Sequence, residues 1–352
     1  MSVLTVLTTT SSDTGTGSKI YRHFVGELSP TNNNNPLIIR KKTLNWLKYA
    51  LKRLLMLIPV IIAVTFVLFV ILSFAPGDVV KTILGDEATE EQIAELKHEL
   101  NLDQPLLIRY ARYMMDACRL DFGNSWTSGY EILPEFSRRL PYTLLVTTLS
   151  VLFAVGVGIP LGIASAIKEH SILDYGCTFL VMLLASMPAF WLGTLCQILF
   201  CLTLRWLPVS GVGSWRHFIL PSIILGASTL ATMIRMSRTS MIDVIKMDYI
   251  RTARAKGADE KKVLYHHAIR NSLIPVITQI GISFAGGIGG AIVTENIFAI
   301  PGIGVMLVNA VKSRDVPVVM GVIIFVTIIV GIINLIVDLI CAVVDPRIDF
   351  AS

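Results

Sequence analysis

The sequence has very little with which to do chemistry. No Gly-x-x-x-x-Gly-Lys-Ser/Thr occurs in its 352 residues, so the chain lacks the loop that cradles nucleotide phosphates and does not hydrolyse ATP alone. No His-Glu-x-x-His is present, and His266-His267 are adjacent, which sets them about 100° apart on a helix and argues against shared metal ligation. Five cysteines match no CxxC spacing: Cys177, Cys196, Cys201 and Cys341 lie in or beside apolar runs and Cys118 stands alone in a polar stretch, so they read as packing residues rather than a disulfide framework. No nucleophile and base share an apolar run. These absences exclude an enzyme, a metal site and a cofactor of the chain's own.

Charge is also scarce. Only 16% of residues are charged, against roughly 25% in a soluble domain, while 53% are hydrophobic and the mean hydropathy is +0.68. The apolar residues are gathered into six runs, Leu54–Phe74, Pro141–Ile167, Tyr175–Leu204, Phe218–Ile234, Asn271–Thr294 and Val316–Val337, none containing Asp, Glu, Lys or Arg. A hydrocarbon core of about 30 Å needs about 20 apolar residues in a helix that satisfies its own backbone. The expected fold is therefore all-α, a polytopic membrane protein with about six transmembrane helices. The third run carries Ser186-Met187-Pro188 midway, where proline removes a helix hydrogen bond, so it reads either as one broken span or as two short segments.

Charge placement sets the orientation. Arg40, Lys41, Lys42, Lys48, Lys52 and Arg53 precede the first span, which puts the N-terminus in the cytoplasm. With six spans, the segment Arg235–Arg270, with nine Lys/Arg against four Asp/Glu, also falls inside; a seventh span would place it outside. Both termini are then cytoplasmic. Residues 1–40 read as a disordered cytoplasmic tail, with no cleavable signal peptide, ahead of a membrane domain over 41–352. Within that domain, residues 75–140 form an extracytoplasmic insertion between spans 1 and 2. Thr89-Glu-Glu-Gln92 is a capping-box pattern there, and Pro105 suits the first turn of a second helix carrying Leu106, Tyr110 and Ala117. The insertion is expected to lie against the outer ends of the spans, a small free-standing domain being the alternative.

The most informative stretch lies in the cytoplasmic segment 235–272. From Asp248 a run of good helix formers ends at Gly257, the residue type suited to the left-handed position past a helix C-terminus, and Asp259 can cap a following helix that runs toward Pro275. The product is a protruding helix-turn-helix elbow. Its chemistry alone leaves two readings open, a basic loop that only fixes topology and a surface for a partner.

Arg251-Thr-Ala-Arg-Ala-Lys-Gly257 followed by His267-Ala-Ile-Arg-Asn-Ser-Leu-Ile-Pro275 resembles the cytoplasmic coupling loop of ABC importer permeases of the dipeptide/oligopeptide, binding-protein-dependent type. In the generic signature, Glu-Ala-Ala, three residues, then Gly, Gly257 matches the glycine and Ala253 the second alanine, while Arg251 and Thr252 replace the Glu and the first Ala as in the peptide branch. Further similar stretches are Phe74-Ala-Pro-Gly-Asp78, Asp121-Phe-Gly-Asn-Ser125, Arg139-Leu-Pro-Tyr-Thr143, Ser186-Met-Pro-Ala-Phe-Trp-Leu-Gly193, Trp206-Leu-Pro-Val-Ser-Gly211, Thr294-Glu-Asn-Ile-Phe-Ala-Ile-Pro-Gly-Ile-Gly304 and Asp345-Pro-Arg347.

The resemblance implies the ABC importer permease fold in a prokaryotic cytoplasmic membrane. It also implies a second homologous permease subunit, two cytoplasmic ABC ATPase subunits that bind the ATP, and an extracytoplasmic substrate-binding protein, with lipid around the spans and no nucleic acid. Arg251, Thr252, Ala253, Arg254, Lys256 and Gly257 then belong to the ATPase-coupling loop. Ser186, Met187, Pro188 and Trp191, with Phe190, are expected on the translocation path, or at a packing kink. Glu295, beside the Pro301-Gly-Ile-Gly304 turn, is expected at an outer gate or binding-protein dock, or as a solvated interfacial charge. Permeases similar to this one serve dipeptides, longer peptides, nickel chelates, glutathione, opines and some sugars, so the resemblance leaves the substrate open, with di- or oligopeptides the modal case. A secondary transporter or channel is the alternative; it needs embedded charges to couple or select ions, and only Glu295 and Asp338 stand at the span edges.

Overall fold

The computed structural model describes residues 36–74, 79–85 and 88–344. Contacts divide the chain into Lys52–Asp349 and a small unit of Met1–Leu51 with Phe350–Ser352, of which only the opening of a helix is described. The expected tail lies outside the described residues as far as position 35, and so does the Asp345-Pro-Arg347 stretch.

The described residues are helical, with one isolated bridge, Asn124 to Glu131. Among the described residues five helices are long and apolar enough to cross a membrane: α1 (Pro36–Phe74), α5 (Ile132–Ile167), α8 (Ile219–Ile245), α10 (Glu260–Phe298) and α12 (Val316–Val344). The third apolar run is a pair, α6 (Ile172–Ser186) and α7 (Ala189–Thr203), bent by 104° at Met187-Pro188. Neither half reaches span length. Counted as one broken span, the pair makes six.

The helices outrun their apolar stretches. α5 starts nine residues before Pro141, with Glu135 and Arg139 paired at 2.6 Å on its first turns; α8 runs on through Arg235 and Arg238. α10 passes unbroken through Pro275, joining the second arm of the elbow to the fifth apolar run in one helix, since proline removes only one hydrogen bond there.

α5 and α8 form the closest pair. A Cβ at Gly158 would lie 2.7 Å from the Met233 Cβ, and one at Gly226 equally near the Ser150 carbonyl, so the two backbones meet where side chains are absent. The glycines of α10 divide: Gly281 packs on Val337, Gly287 on Thr147 and Gly290 on Leu225, whereas Gly286 and Gly289 have nothing within 4 Å. Close packing thus accounts for three of these five.

Contacts sort the helix ends into two sets. At one end is the insertion, α2 (Val79–Leu84), α3 (Glu90–Glu99) and α4 (Leu106–Cys118), of which α4 packs on α1 and α12. Thr89 and Gln92 close the capping box at the start of α3. From α4, the Tyr110 hydroxyl donates to the Ile62 carbonyl at 2.9 Å and that of Tyr113 to the Pro317 carbonyl at 3.2 Å. The Phe122 ring lies tilted against Phe325, with centroids 4.3 Å apart. The insertion is therefore built onto the spans rather than standing free. At the other end lies the elbow.

Candidate functional site

The elbow is α9 (Asp248–Ala255), a left-handed turn at Gly257 with φ of +77°, and the start of α10. Its inner face is apolar: Ile250, Val263 and Ala268 are fully buried against Met241, Val244 and Ala166 of α8 and α5. Ala253 packs half-buried beside them. The outer face is exposed, and a Cβ at Gly257 would meet nothing within 4 Å. Arg254 spans the turn to Glu260 with two hydrogen bonds of 2.6 and 3.1 Å, holding the two arms at a set angle. Thr252 bonds back to the Asp248 carbonyl at 2.9 Å, while Arg251 and Lys256 remain on the surface. Asp259 stands at the N-cap of α10 but makes no side-chain capping bond, contrary to the sequence expectation.

After the first three residues of α10, Val263–Ala268 form a six-residue π-helical turn, and the helix then continues to Phe298. One arm of the elbow is thus the prolongation of a 39-residue helix, and the other joins α8 through Lys246-Met247. A push on the elbow has a stiff path into two spans.

Arg238 of α8 adds a fixed point nearby that the sequence did not reveal. Its guanidinium donates to Asp174 of α6 at 2.6 and 2.9 Å, and Asp174 also accepts from Ser165 of α5 at 2.5 Å and from the His170 amide at 3.0 Å. The Ser171-x-x-Asp174 spacing is a legible helix start, and Ser171 does accept from the Asp174 amide. No local pattern points to Arg238.

At the break, Ser186, Pro188, Phe190 and Trp191 are exposed in this chain and Met187 is half-buried. Beyond it, Gly193 packs under Ile297 and Ile224, and Gln197 donates to the Ile297 carbonyl at 3.2 Å. One half of the broken span is anchored while the break itself faces outward from the chain.

Glu295 is fully buried and is no solvated interfacial charge. Its carboxylate accepts from the Thr143 hydroxyl at 2.5 Å, the Gly304 amide at 2.7 Å and the Val305 amide at 3.4 Å. Thr143 in turn accepts from the Ile303 amide at 2.9 Å. These bonds tie α5 and α10 to the first turn of α11 (Ile303–Lys312), whose N-terminal amides need acceptors. Gly302 has no room for a side chain, since a Cβ there would overlap the Glu295 carboxyl group.

A second clamp joins the insertion to α12. Asp315, 1% exposed, accepts from the Ser125 and Thr127 hydroxyls at 2.5 and 3.0 Å and from the Trp126 amide at 3.2 Å. Together the clamps give physical roles to three stretches first noticed for their resemblance: Asp121–Ser125, Arg139–Thr143 and Thr294–Gly304. Among the described residues no group of His, Cys, Asp or Glu could hold a metal ion.

A multi-helix membrane scaffold with a rigid basic elbow and a broken span defines a transport subunit rather than a catalyst. Two family models match the chain, the binding-protein-dependent transport system inner membrane component over residues 158–350 and its N-terminal component over residues 46–147. The dipeptide transport system permease protein DppB of Alkalihalophilus pseudofirmus is 39% identical over 86% of this chain and 100% of its own length. The glutathione transport system permease protein GsiC of Escherichia coli K12 is 40% identical over 86% of this chain and 99% of its own. Among solved structures, an inward-facing MetNI methionine ABC transporter chain aligns with a TM-score of 0.53 at 17% identity, over 61% of this chain and 98% of that one, a likeness of fold. The chain belongs to the family of binding-protein-dependent transport system inner membrane components, the non-catalytic permease subunits of ABC importers. It is a multi-pass membrane protein that works with ATPase and binding-protein partners, which excludes the secondary-transporter and channel readings.

Proposed function

We propose that this permease imports di- or oligopeptides by alternating access, paired with a second homologous permease subunit and driven by two cytoplasmic ABC ATPase subunits. The observation that carries the mechanism is the elbow. Its exposed turn offers a partner close approach at Gly257, and its buried face and continuous helix leave little slack between that contact and spans α8 and α10. ATP-driven closure of the ATPases then rocks the spans as rigid bodies between inward-open and outward-open states. In the oriented protein the elbow and both termini are cytoplasmic, and the insertion faces the binding protein. The peptide substrate is supported by the likeness to a dipeptide permease; the equal likeness to a glutathione permease fits the same class, a short chain with free ionised ends.

Ser186, Met187, Pro188 and Trp191 line the path in this reading. Broken backbone at membrane depth is tolerated only against protein or a water-filled cavity, and the second permease supplies the opposite wall. Glu295 serves the outer gate by fixing the α11 turn rather than by lining the path.

Tagged chain purified from its native membrane should carry an ATP-hydrolysing subunit, and the reconstituted complex should hydrolyse ATP faster when its binding protein and an oligopeptide are added. Peptide uptake persisting without ATP would refute the mechanism. With the five native cysteines replaced, Met187→Cys should react with a small water-soluble thiol reagent, and at rates differing severalfold between nucleotide-free and ATP-trapped complexes. Full protection in both states would return the break to a packing kink.

A further inference from the structure

The insertion holds a cavity of about 240 Å³ where α4 crosses the ends of α1 and α12, and no residue of the elbow, the broken span or the Glu295 clamp lines it. Its floor is one face of α4, where Arg109, Arg112, Tyr113 and Asp116 recur at helical spacing. Phe69 and Trp126 form aromatic walls. The polar groups are arranged in an unusual way. The Arg109 guanidinium lies 5.5 Å over the Phe69 ring and, among the described residues, receives no carboxylate or other acceptor. Burial lowers its pKa below the ordinary arginine value, the mark of a cation drawn partly out of water without a counter-charge. Asp116, half-buried on the same face, likewise has no side-chain hydrogen bond or ion pair among the described residues. Arg112 is held apart by its bond to Asn101 at 2.9 Å, and Asp121, the second carboxylate on the lining, accepts from the Gly123 amide at 2.9 Å.

Seven residues of helix separate the Arg109 and Asp116 backbones by about 10 Å, which keeps the two charges from neutralising each other. A partly desolvated charge without a partner is costly, and two of opposite sign, two turns apart on the helix face that lines one cavity, suit a ligand with the complementary charges at its own two ends. Size limits the choice. An apolar cavity of about 150 Å³ takes a benzene ring, so this one holds a ligand of roughly ten non-hydrogen atoms.

The geometry points to a second ligand site in the insertion, for a small zwitterion whose anionic end meets Arg109 and whose ammonium end meets Asp116. A free dipeptide of small residues carries this chemistry, and so does a phosphatidylethanolamine headgroup. The site stands whether or not the transported substrate is a peptide.

The test uses the assembled transporter in nanodiscs of phosphatidylglycerol, which has no ammonium group, titrated with Ala-Ala in the absence of binding protein. Arg109→Gln should weaken Ala-Ala at least tenfold while leaving Ala-Ala-amide unchanged, and Asp116→Asn should weaken Ala-Ala at least tenfold while leaving N-acetyl-Ala-Ala unchanged. Matching each lost charge to one end of the ligand separates this site from any in the translocation path. Adding phosphatidylethanolamine identifies the source: competition with Ala-Ala in the wild type, absent in Asp116→Asn, assigns the site to the headgroup, and no competition assigns it to free dipeptide. Should Arg109→Gln not assemble, the Asp116→Asn arm decides by itself. Wild type that binds neither Ala-Ala saturably nor phosphatidylethanolamine selectively, or losses independent of the ligand's end groups, would overturn the site.

Discussion

Gly257→Asp is expected to abolish the stimulation of ATP hydrolysis by loaded binding protein and to cut transport at least tenfold, with the subunit present in the membrane at wild-type level. The asymmetry follows from where the glycine sits. Its φ of +77° suits glycine, but aspartate tolerates the left-handed region at a cost of about 1 kcal/mol, and a Cβ at this position meets nothing within 4 Å in the chain itself. Folding therefore loses little. A docked partner loses the close approach and meets a new negative charge among basic residues. Ala253→Glu should act alike through the packed side of α9, with a larger folding cost. Substrate-stimulated ATPase at the wild-type rate in a reconstituted Gly257→Asp complex would move the docking surface elsewhere.

Glu295→Gln is the second large effect, and here the loss is structural. The carboxylate accepts from three donors, and the Thr143 hydroxyl already accepts from the Ile303 amide, so its proton is committed to Glu295. An amide keeps one acceptor oxygen: held toward the Gly304 and Val305 amides, it points its NH2 at the Thr143 hydroxyl and leaves that proton without its acceptor, and flipped, it sets N–H against the two amides. Leaving buried donors unmatched costs about 1 to 3 kcal/mol each, so the substitution should destabilise the turn by about 3 kcal/mol. Expected results are faster proteolysis between residues 299 and 313 and a fall in peptide uptake of more than half at equal expression. Thr143→Val should do the same more weakly. Unchanged uptake at limiting substrate, with an equally protease-resistant turn, would remove Glu295 from the gate.

Much of the fold was legible along the chain because membrane insertion is a property of runs. Whether some 20 residues can leave water depends on their summed transfer energy, which the sequence states directly. The elbow was legible for a related reason: Gly257 is demanded by its own backbone angle, and the Thr89 capping box closes over three residues. The apolar run that ends at Ile234 is shorter than its helix, because packing along α8 outweighs the cost of a charge near the helix end and carries the helix on through Arg235 and Arg238 to Ile245.

The sequence by itself determined the solvent, the six apolar stretches, the basic elbow and the family to which these belong, since each depends on composition or on contacts within a few residues. Only the tertiary structure decided the fate of the buried charges and the angle of the broken span. Asp174 meets Arg238 across 64 positions, Glu295 meets Thr143 across 152, and Asp315 meets Ser125 across 190. A carboxylate at the end of an apolar run reads the same whether water or a threonine hydroxyl awaits it. Proline at 188 likewise frees a carbonyl without saying by how much the chain will turn, and the 104° bend follows from what α7 packs against, Ile297 and Ile224 under Gly193. Partners that distant are chosen by helix packing, because the cost of a buried charge falls only when a particular donor arrives within about 3 Å.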